Sequence, residues 1–232
     1  MLQKQTVTAE TLALIKRLMA DPRLNDFTLV GGTALALTIG HRQSIDIDLF
    51  LDRPFDSENV AGILAREYQA EFLKTSQGSV SGFIDGIKID LIAHPYTVVQ
   101  PTSTIDGIRI MSLQDIAAMK LHAIVNNGTR VKDFIDIHFL LEKMPLEAMY
   151  EAYEIKYHPD ASQGVARLAL RDHSGINFQE PIVLLNSNFE WAKIDARLLK
   201  AVEYPSRIFE VRKQSLSVIK KPEPKLKRGR RI

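Results

Sequence analysis

Residues 40–50, GHRQSIDIDLF, hold two aspartates one residue apart within otherwise apolar sequence. Successive side chains of a β-strand point to opposite faces, so Ser44, Asp46 and Asp48 share one face. The apolar side chains that alternate with them, starting with Ile45, form the other face, which we expect to be buried. Two carboxylates at neighbouring positions on one face repel each other unless a cation or a proton lies between them. The segment therefore predicts a strand with a polar face on which either solvent or a bound cation relieves this repulsion.

Composition narrows the class of protein. The chain has 232 residues, of which 45% are hydrophobic and 25% are charged, as in ordinary soluble globular proteins. This length suits one large domain, or a core with a smaller appended lobe. The absence of cysteine excludes disulfides, thiol catalysis and cysteine-ligated zinc. The first residues lack the apolar segment of a secretion signal, and no apolar run approaches membrane-spanning length, so we expect a cytoplasmic protein without a membrane partner.

Basic residues are concentrated in residues 220–232, KKPEPKLKRGRRI, which hold seven Lys or Arg and one Glu. Without this segment the 30 basic and 28 acidic residues become 23 and 27, so the rest of the chain is mildly acidic. Two prolines and few apolar residues cannot form a core, which predicts a disordered tail. The tail serves either to keep the protein soluble or to attract nucleic acid.

Residues 1–111 alternate between helix and strand signals, which predicts a small α/β unit with a mixed sheet. The clearest signal is the hairpin SVSGFIDGIKIDLIAH, in which Asp85-Gly86 suits a type I′ turn. On its second strand Lys88 and Asp90 share the face opposite the isoleucines. Helices are predicted over 8–20 and 33–39 and from a cap at Ser57, and strands over 27–30, 45–51 and 108–111.

Residues 112–219 are predicted to form a mainly helical lobe, so the expected fold class is α+β. Ser112 and Asp115 in SLQD resemble a capping box that opens a helix ending near Asn127. A further helix is expected over residues 130–141.

The sequence Gly31-Gly32-Thr33 joins a predicted strand directly to a predicted helix. Glycine lets the backbone approach a ligand closely, and the exposed N–H groups at a helix start favour phosphate. By itself such a glycine pair is most often only a turn.

Asp90 supplies a third carboxylate, on a strand with the same apolar flanks as the Asp46 and Asp48 segment. Each acidic motif alone is more often surface decoration. Together with the glycine turn they match two-metal phosphoryl transfer, with Mg²⁺ or Mn²⁺ on the aspartates and an NTP as substrate. The turn would hold the triphosphate, Asp46 and Asp48 would bind metal, and Asp90 would complete the site and help to activate the attacking hydroxyl.

This combination of glycine pair, Asp-Ile-Asp and third aspartate resembles the polymerase-β nucleotidyltransferase superfamily. More narrowly, the chain is similar to the AbiEii/AbiGii toxin nucleotidyltransferases in the motifs GGTALAL, GHRQSIDIDLF, GIKIDLI, KLHAI, RVKDFIDIHFLL and YEIKY. The resemblance covers residues 27–160 and fades where relatives often have an aromatic followed by paired aspartates and this chain has LRDHSGIN. It implies a polymerase-β-like core followed by the helical lobe.

The resemblance also implies roles within the helical lobe. Lys120 matches a family lysine near the nucleotide phosphates, although its position alone indicates only an exposed helix residue. Asp133 becomes an active-site candidate and Asp136 a second one, on a helix face that they share with Lys132. Either aspartate would act directly or position Lys120.

Other polar side chains near the motifs are expected to play smaller parts. Ser44 would support Asp46 and Asp48 by hydrogen bonding and help to bind the nucleotide. Arg42 either contacts substrate or covers the loop. The histidines lack metal-ligand spacing, so packing or surface positions are expected for His41, His94, His122 and His138, and a core position for Trp191.

The resemblance implies transfer of NMP from an NTP to a hydroxyl of tRNA or protein by a toxin that a separate antitoxin protein counters. Two alternatives remain open. One is an antibiotic-type nucleotidyltransferase with a small-molecule acceptor, and the other is an inactive relative that binds nucleic acid.

Overall fold

The structure is a computed structural model that describes residues 1–185 and 188–210. Within these residues the helices are α1 (Ala9–Ala20), α2 (Gly31–Ile39), α3 (Ser57–Tyr68), α4 (Leu113–Asn127), α5 (Val131–Leu140), α6 (Leu146–Tyr157), α7 (Gln163–Ala169) and α8 (Trp191–Glu203). The strands are β1 (Thr28–Leu29), β2 (Ile47–Leu51), β3 (Glu71–Ser76), β4 (Ser79–Ile84), β5 (Ile87–Ala93), β6 (Ser103–Ile105) and β7 (Ile108–Ile110).

The strands form one seven-stranded sheet in the order β3-β4-β5-β2-β1-β7-β6. Strand β2 runs parallel to β5, and β1 runs parallel to β7, whereas the other neighbouring pairs are antiparallel. The mixed sheet and the α+β class predicted from the sequence are therefore confirmed.

The apolar residues of the central strands alternate as a half-buried sheet requires. Ile47 and Leu49 on β2, and Ile89 and Leu91 on β5, are buried, while the residues between them face the other way. Helix α3 packs against β3 and β4, and α1 packs against β7. The opposite face of β2 and β5 is thus left for polar side chains.

Two local predictions are confirmed by backbone geometry. Asp85 and Gly86 have φ angles of 50° and 74°, as a type I′ turn between β4 and β5 requires. The Ser112 hydroxyl accepts a 3.0 Å hydrogen bond from the Asp115 amide at the start of α4.

The prediction places the start of the strand around the aspartates too early in the sequence. Strand β2 starts at Ile47, and the Ile45 side chain is 64% exposed rather than buried. The residues before β2 form an irregular loop because the Ser44 amide bonds the carbonyl of Thr6 instead of a neighbouring strand. Alternation by itself could not locate this start.

Two helix starts also differ from prediction. Asp56, not Ser57, caps α3 by accepting a 3.0 Å hydrogen bond from the Asn59 amide, while the Ser57 hydroxyl accepts one from Gly78. Helix α2 starts at Gly31 rather than Thr33. Strand β3 has no signal in the sequence, because this edge strand is mostly exposed and shows no buried alternation.

Within the described residues all strands precede residue 111 and helices α4–α8 follow it, although 170–185 and 188–190 contain no helix. A division into two lobes at residue 111 stays a prediction. The predicted tail at 220–232 lies outside the described residues. In the part of the chain that the structure describes, no helix is long and apolar enough to cross a membrane.

Candidate active site

The predicted carboxylates meet on the polar face of the sheet. Strands β2 and β5 lie side by side and parallel, in a register that pairs Asp48 with Asp90. Asp46 lies one residue before β2, so its side chain points to the same side. All three residues line one cavity of about 570 Å³. The structure thus brings together side chains that are separated by more than 40 positions in the sequence.

Asp48 has a raised pKa because it is partly buried and lies near other carboxylates. Its partly buried carboxyl is costly to ionise, and the nearby negative charges of Asp90 and Asp46 add to this cost. Together they raise the pKa of Asp48 to about 6, against an opposing effect of the Lys120 charge. A cation bound between these carboxylates would offset both the burial and the repulsion and so lower this pKa.

Asp90 has a basic neighbour on its own strand. Lys88 Nζ donates a 2.6 Å hydrogen bond to Asp90 Oδ2, and this bond raises the pKa of Lys88. Lys88 and Asp90 share a strand face, as predicted. The ammonium group balances part of the negative charge of the acidic wall.

The glycine turn approaches the acidic wall closely. Gly31 has φ of +69°, and a Cβ there would collide with Asp48 Oδ2, so only glycine fits. A Cβ at Gly32 would collide with Arg42 Nη2. No described side chain caps the first turn of α2. The backbone N–H groups of this turn, which lie beside the carboxylates, can therefore donate hydrogen bonds to an anion.

Thr33 and Ser44 differ in position. Thr33 is only 1% exposed and does not line the cavity, because its hydroxyl contacts the Asp46 carbonyl and lies 2.9 Å from the Ser44 hydroxyl. Ser44 does line the cavity. Thr33 therefore fastens the loop before β2, and any bond from Thr33 to phosphate would have to come from its backbone.

Lys120 reaches the site from α4. Its Nζ lies 2.7 Å from Asp133 Oδ1 and 2.8 Å from Asp136 Oδ2, both on α5. Burial opposes the charge on Lys120, but the two carboxylates outweigh burial and raise its pKa. Lys120 is therefore a charged ammonium fixed at the cavity wall.

Arg42 and His41 complete a buried ion network that the sequence analysis did not find. Arg42 donates to Asp136 through Nε at 2.7 Å and Nη2 at 3.0 Å, and His41 Nε2 lies 2.8 Å from the same carboxylate. Burial opposes ionisation of Asp136, yet Arg42 and Lys120 hold its pKa well below the usual range. Arg42 thus connects the loop before β2 to α5 and also lines the cavity.

The predicted shared face holds for Asp133 and Asp136 but does not extend to Lys132. Asp133 and Asp136 are buried and point to Lys120, whereas Lys132 lies 3.3 Å from Glu180. Helix α4 presents Lys120 to α5, so both aspartates pair between helices, and Asp133 also lies 3.9 Å from Arg130 at the start of α5.

A second buried ion pair holds the far end of the cavity. Lys156 Nζ lies 2.8 Å from Asp115 Oδ1, and Asp115 accepts 3.0 Å hydrogen bonds from the amides of Val99 and Gln100. A capping box predicts only that Asp115 helps to begin α4. In the structure Asp115 has a further role. It ties the segment after β5 to α4 and α6, and Lys156 explains the YEIKY motif.

The cavity is covered by residues from beyond α7, which the sequence did not indicate. The Gln43 amide bonds the Val183 carbonyl at 2.9 Å, and the Leu185 amide bonds the His41 carbonyl at 3.1 Å. Pro181 and Val183 consequently line the cavity over the acidic end.

Not all expected packing histidines lie in the core. His94 and His122 line the end of the cavity that is remote from Asp46, together with Phe50 and Tyr157. His41 and His138 are buried, as expected. Trp191 is only partly buried and packs at the edge of the core.

The acidic wall fits a divalent metal ion. Within residues 1–185 and 188–210 no three His, Asp or Glu side chains are already spaced as a metal site, and Asp90 is instead paired with Lys88. The donors are nevertheless carboxylate oxygens, which Mg²⁺ and Mn²⁺ prefer. Burial and, less strongly, the charges of Asp90 and Asp46 raise the pKa of Asp48, and a bound cation would oppose both effects.

Comparison with known proteins gives two kinds of similarity. A model of the AbiEii nucleotidyl transferase toxin family, described as a type IV toxin–antitoxin system, matches residues 13–206. An uncharacterised protein of Aquifex aeolicus strain VF5 is 38% identical over 123 residues, which are 51% of this chain and 59% of that protein. The chain therefore spans less than two thirds of the length of this relative.

Two solved structures from Helicobacter pylori share the fold. A nucleotidyltransferase aligns with a TM-score of 0.51 and the protein JHP933 with 0.52, each at 18% identity over 86% of this chain. The alignments cover 96% and 93% of those chains. At this identity the likeness concerns the fold alone.

Proposed function

The chain belongs to the AbiEii nucleotidyltransferase toxin family, and on that premise we propose that it transfers NMP from an NTP to a hydroxyl of a macromolecular acceptor, tRNA or protein. One observation carries the proposal. Asp46, Asp48 and Asp90 line the same cavity as the glycine turn and Lys120, although they come from separate elements. Phosphoryl transfer requires this combination of acidic side chains, anion-binding amides and a fixed cation.

The glycine turn and Lys120 bind the triphosphate. The N–H groups at the start of α2 donate to phosphate oxygens, and the Lys120 ammonium balances their charge. Asp133 and Asp136 position this ammonium from behind, at 2.7 and 2.8 Å. Arg42 holds the turn in place because it lies against Gly32 and is anchored to Asp136.

Asp46 and Asp48, with Asp90 beside them, would hold Mg²⁺ or Mn²⁺. When bound, the ion supplies charge neutralisation for the triphosphate and lowers the pKa of the attacking hydroxyl. Asp90 orients that hydroxyl and accepts its proton as the bond to the α-phosphorus forms and pyrophosphate leaves. Asp90 would have to exchange its Lys88 partner for the ion if it is to join in holding the metal.

The family also supports a role as the toxin of a toxin–antitoxin pair, with a separate antitoxin protein as partner. The basic residues 220–232 would attract RNA to the enzyme by charge.

The test is transfer of radiolabel. The protein is incubated with each α-labelled NTP, total RNA and a cell extract, in Mg²⁺ or in EDTA. We expect one labelled RNA or protein band, present with Mg²⁺ and lost in Asp48→Asn. The matched control is Asp106→Asn, which removes an exposed carboxylate paired with Lys4.

Each alternative gives a different result. Label that enters only small molecules would support the antibiotic-type enzyme. NTP and RNA binding without any labelled product would support an inactive binding protein. Equal labelling by wild type and Asp48→Asn would contradict the proposed site.

A further inference from the structure

The end of the cavity remote from Asp46 is built from aromatic rings. The rings of His122 and Tyr157 stack with centroids 3.9 Å apart and an 8° angle between planes. The Phe50 ring lies 5.0 Å from the His94 ring at 32°. All four residues line the cavity. The four rings pack against one another and still border the open cavity, so they are placed to contact a ligand.

This aromatic wall is uncharged at neutral pH. Burial, with the charge of Lys156 as a second cause, lowers the pKa of His94 to about 4. Burial also lowers the pKa of His122 and keeps Tyr157 protonated by raising its pKa. The Tyr157 hydroxyl and His94 Nε2 lie 3.3 Å apart and satisfy each other. A neutral wall gives no attraction to phosphate but suits a flat, uncharged ring.

The two ends of the cavity are joined by the strands themselves. Phe50 follows Asp48 by two residues on β2, and both point to the same face. Asp90 lies on β5 and His94 is the first residue after that strand, four residues further on, which is about 13 Å of extended chain. Helix α4 contributes both Lys120 and His122 to the cavity lining. One ligand with an anionic end and an aromatic end would therefore contact both walls.

We propose that Phe50, His94, His122 and Tyr157 form the nucleobase subsite, in which the base of the NTP packs on these rings while its triphosphate lies at the glycine turn. The inference rests on the proposed function, because it assumes that the acidic end takes the triphosphate. It assigns ligand binding to two histidines for which the sequence pattern predicted only packing or surface positions.

The subsite is held rigid from behind. Lys156, next to Tyr157, is buried and paired with Asp115, which also fixes the segment after His94 through two amides. The rings therefore keep their positions without a ligand, so little freedom is lost when a base binds.

The experiment separates the base from the phosphates. Binding of the preferred NTP and of inorganic tripolyphosphate, each with Mg²⁺, is measured by calorimetric titration. The variants are His122→Leu, which keeps apolar volume without an aromatic ring, and His122→Phe, which restores a ring. Phe50→Leu repeats the test on β2 if the α4 variant fails to fold. Tyr204→Ala is the control, since this exposed aromatic lies outside the cavity.

For His122→Leu and Phe50→Leu we expect NTP binding to weaken by about 5- to 100-fold, the range of a lost base–aromatic stack. Tripolyphosphate binding should stay unchanged in both, and His122→Phe should restore NTP binding. The inference is overturned if the leucine variants bind NTP like wild type, or lose NTP and tripolyphosphate equally.

The result also distinguishes this inference from the proposed function. If the wild-type protein binds neither NTP nor tripolyphosphate, the proposed function fails. If it binds both with equal affinity, the acidic end still takes the triphosphate and only the nucleobase subsite is refuted.

Discussion

The substitution Asp136→Asn tests whether the buried ion network holds the candidate active site together. In the folded protein the cations Arg42 and Lys120 face the carboxylates Asp133 and Asp136. Asparagine keeps the shape of aspartate but removes its charge, so two buried cations would face one carboxylate. His41 would also lose its charged partner at 2.8 Å.

The expected loss of stability follows from burial. Asp136 has no solvent exposure and Arg42 is 4% exposed, so water cannot replace the lost charge. Removal of one partner from a buried ion pair typically costs about 3–5 kcal/mol of unfolding free energy. For a chain of this size the melting temperature should fall by about 6–20 °C.

The assay is thermal and urea unfolding of the two proteins, followed by titration with Mg²⁺ and NTP below both melting temperatures. We expect the variant to bind NTP more weakly, because Lys120 and the Arg42 contact at Gly32 lose their anchor. The control Asp106→Asn removes a carboxylate from an exposed pair and should leave the melting temperature nearly unchanged.

A second substitution identifies the cause of the loss. If the loss comes from a stranded charge, replacing Arg42 by Met in the Asp136→Asn background should cost much less than the same replacement in wild type. A melting temperature of Asp136→Asn that matches the Asp106→Asn control would refute the reasoning, as would fully additive effects of the two changes.

Three further predictions concern the acidic wall and a buried histidine. Asp48→Asn should weaken Mg·NTP binding. It should leave the melting temperature of the ligand-free protein unchanged or raised, because one repelling charge has gone. A lower ligand-free melting temperature with normal Mg·NTP binding would instead show that Asp48 has a structural role. Asp90→Asn should retain most NTP binding but lose about 10²- to 10⁴-fold in single-turnover transfer, and near wild-type transfer would falsify its role. Burial, aided by the charge of Arg197, lowers the pKa of His138 to about 3. Below the unfolded pKa of about 6.5 the unfolded chain then binds a proton that the folded protein excludes, so stability falls as the pH drops from 6.5 toward 3. His138→Gln should flatten this fall by up to about 1.4 kcal/mol per pH unit in urea unfolding, whereas equal slopes would contradict the assignment.

The sequence determined the elements that carry the acidic wall. Alternation around Asp48 and Asp90 predicted two strands with polar faces, and Asp85-Gly86 predicted the hairpin turn. The glycine pair predicted the strand-to-helix turn, because Gly31 adopts a positive φ that other residues avoid. These features depend on neighbours within a few residues, so local pattern is sufficient to find them.

Only the tertiary structure decided how these elements meet. Arg42 and Asp136 are 94 positions apart, and no local pattern indicates that they pair. The same holds for Lys156 with Asp115, for the cover over the cavity near Val183, and for the rings of Phe50 and His122 at one wall. Each of these contacts depends on the register of β2 against β5 and on how α4 packs against α5 and α6. Side chains that are buried by such packing look like ordinary surface or core residues in the sequence, because their environment is set by elements far away along the chain.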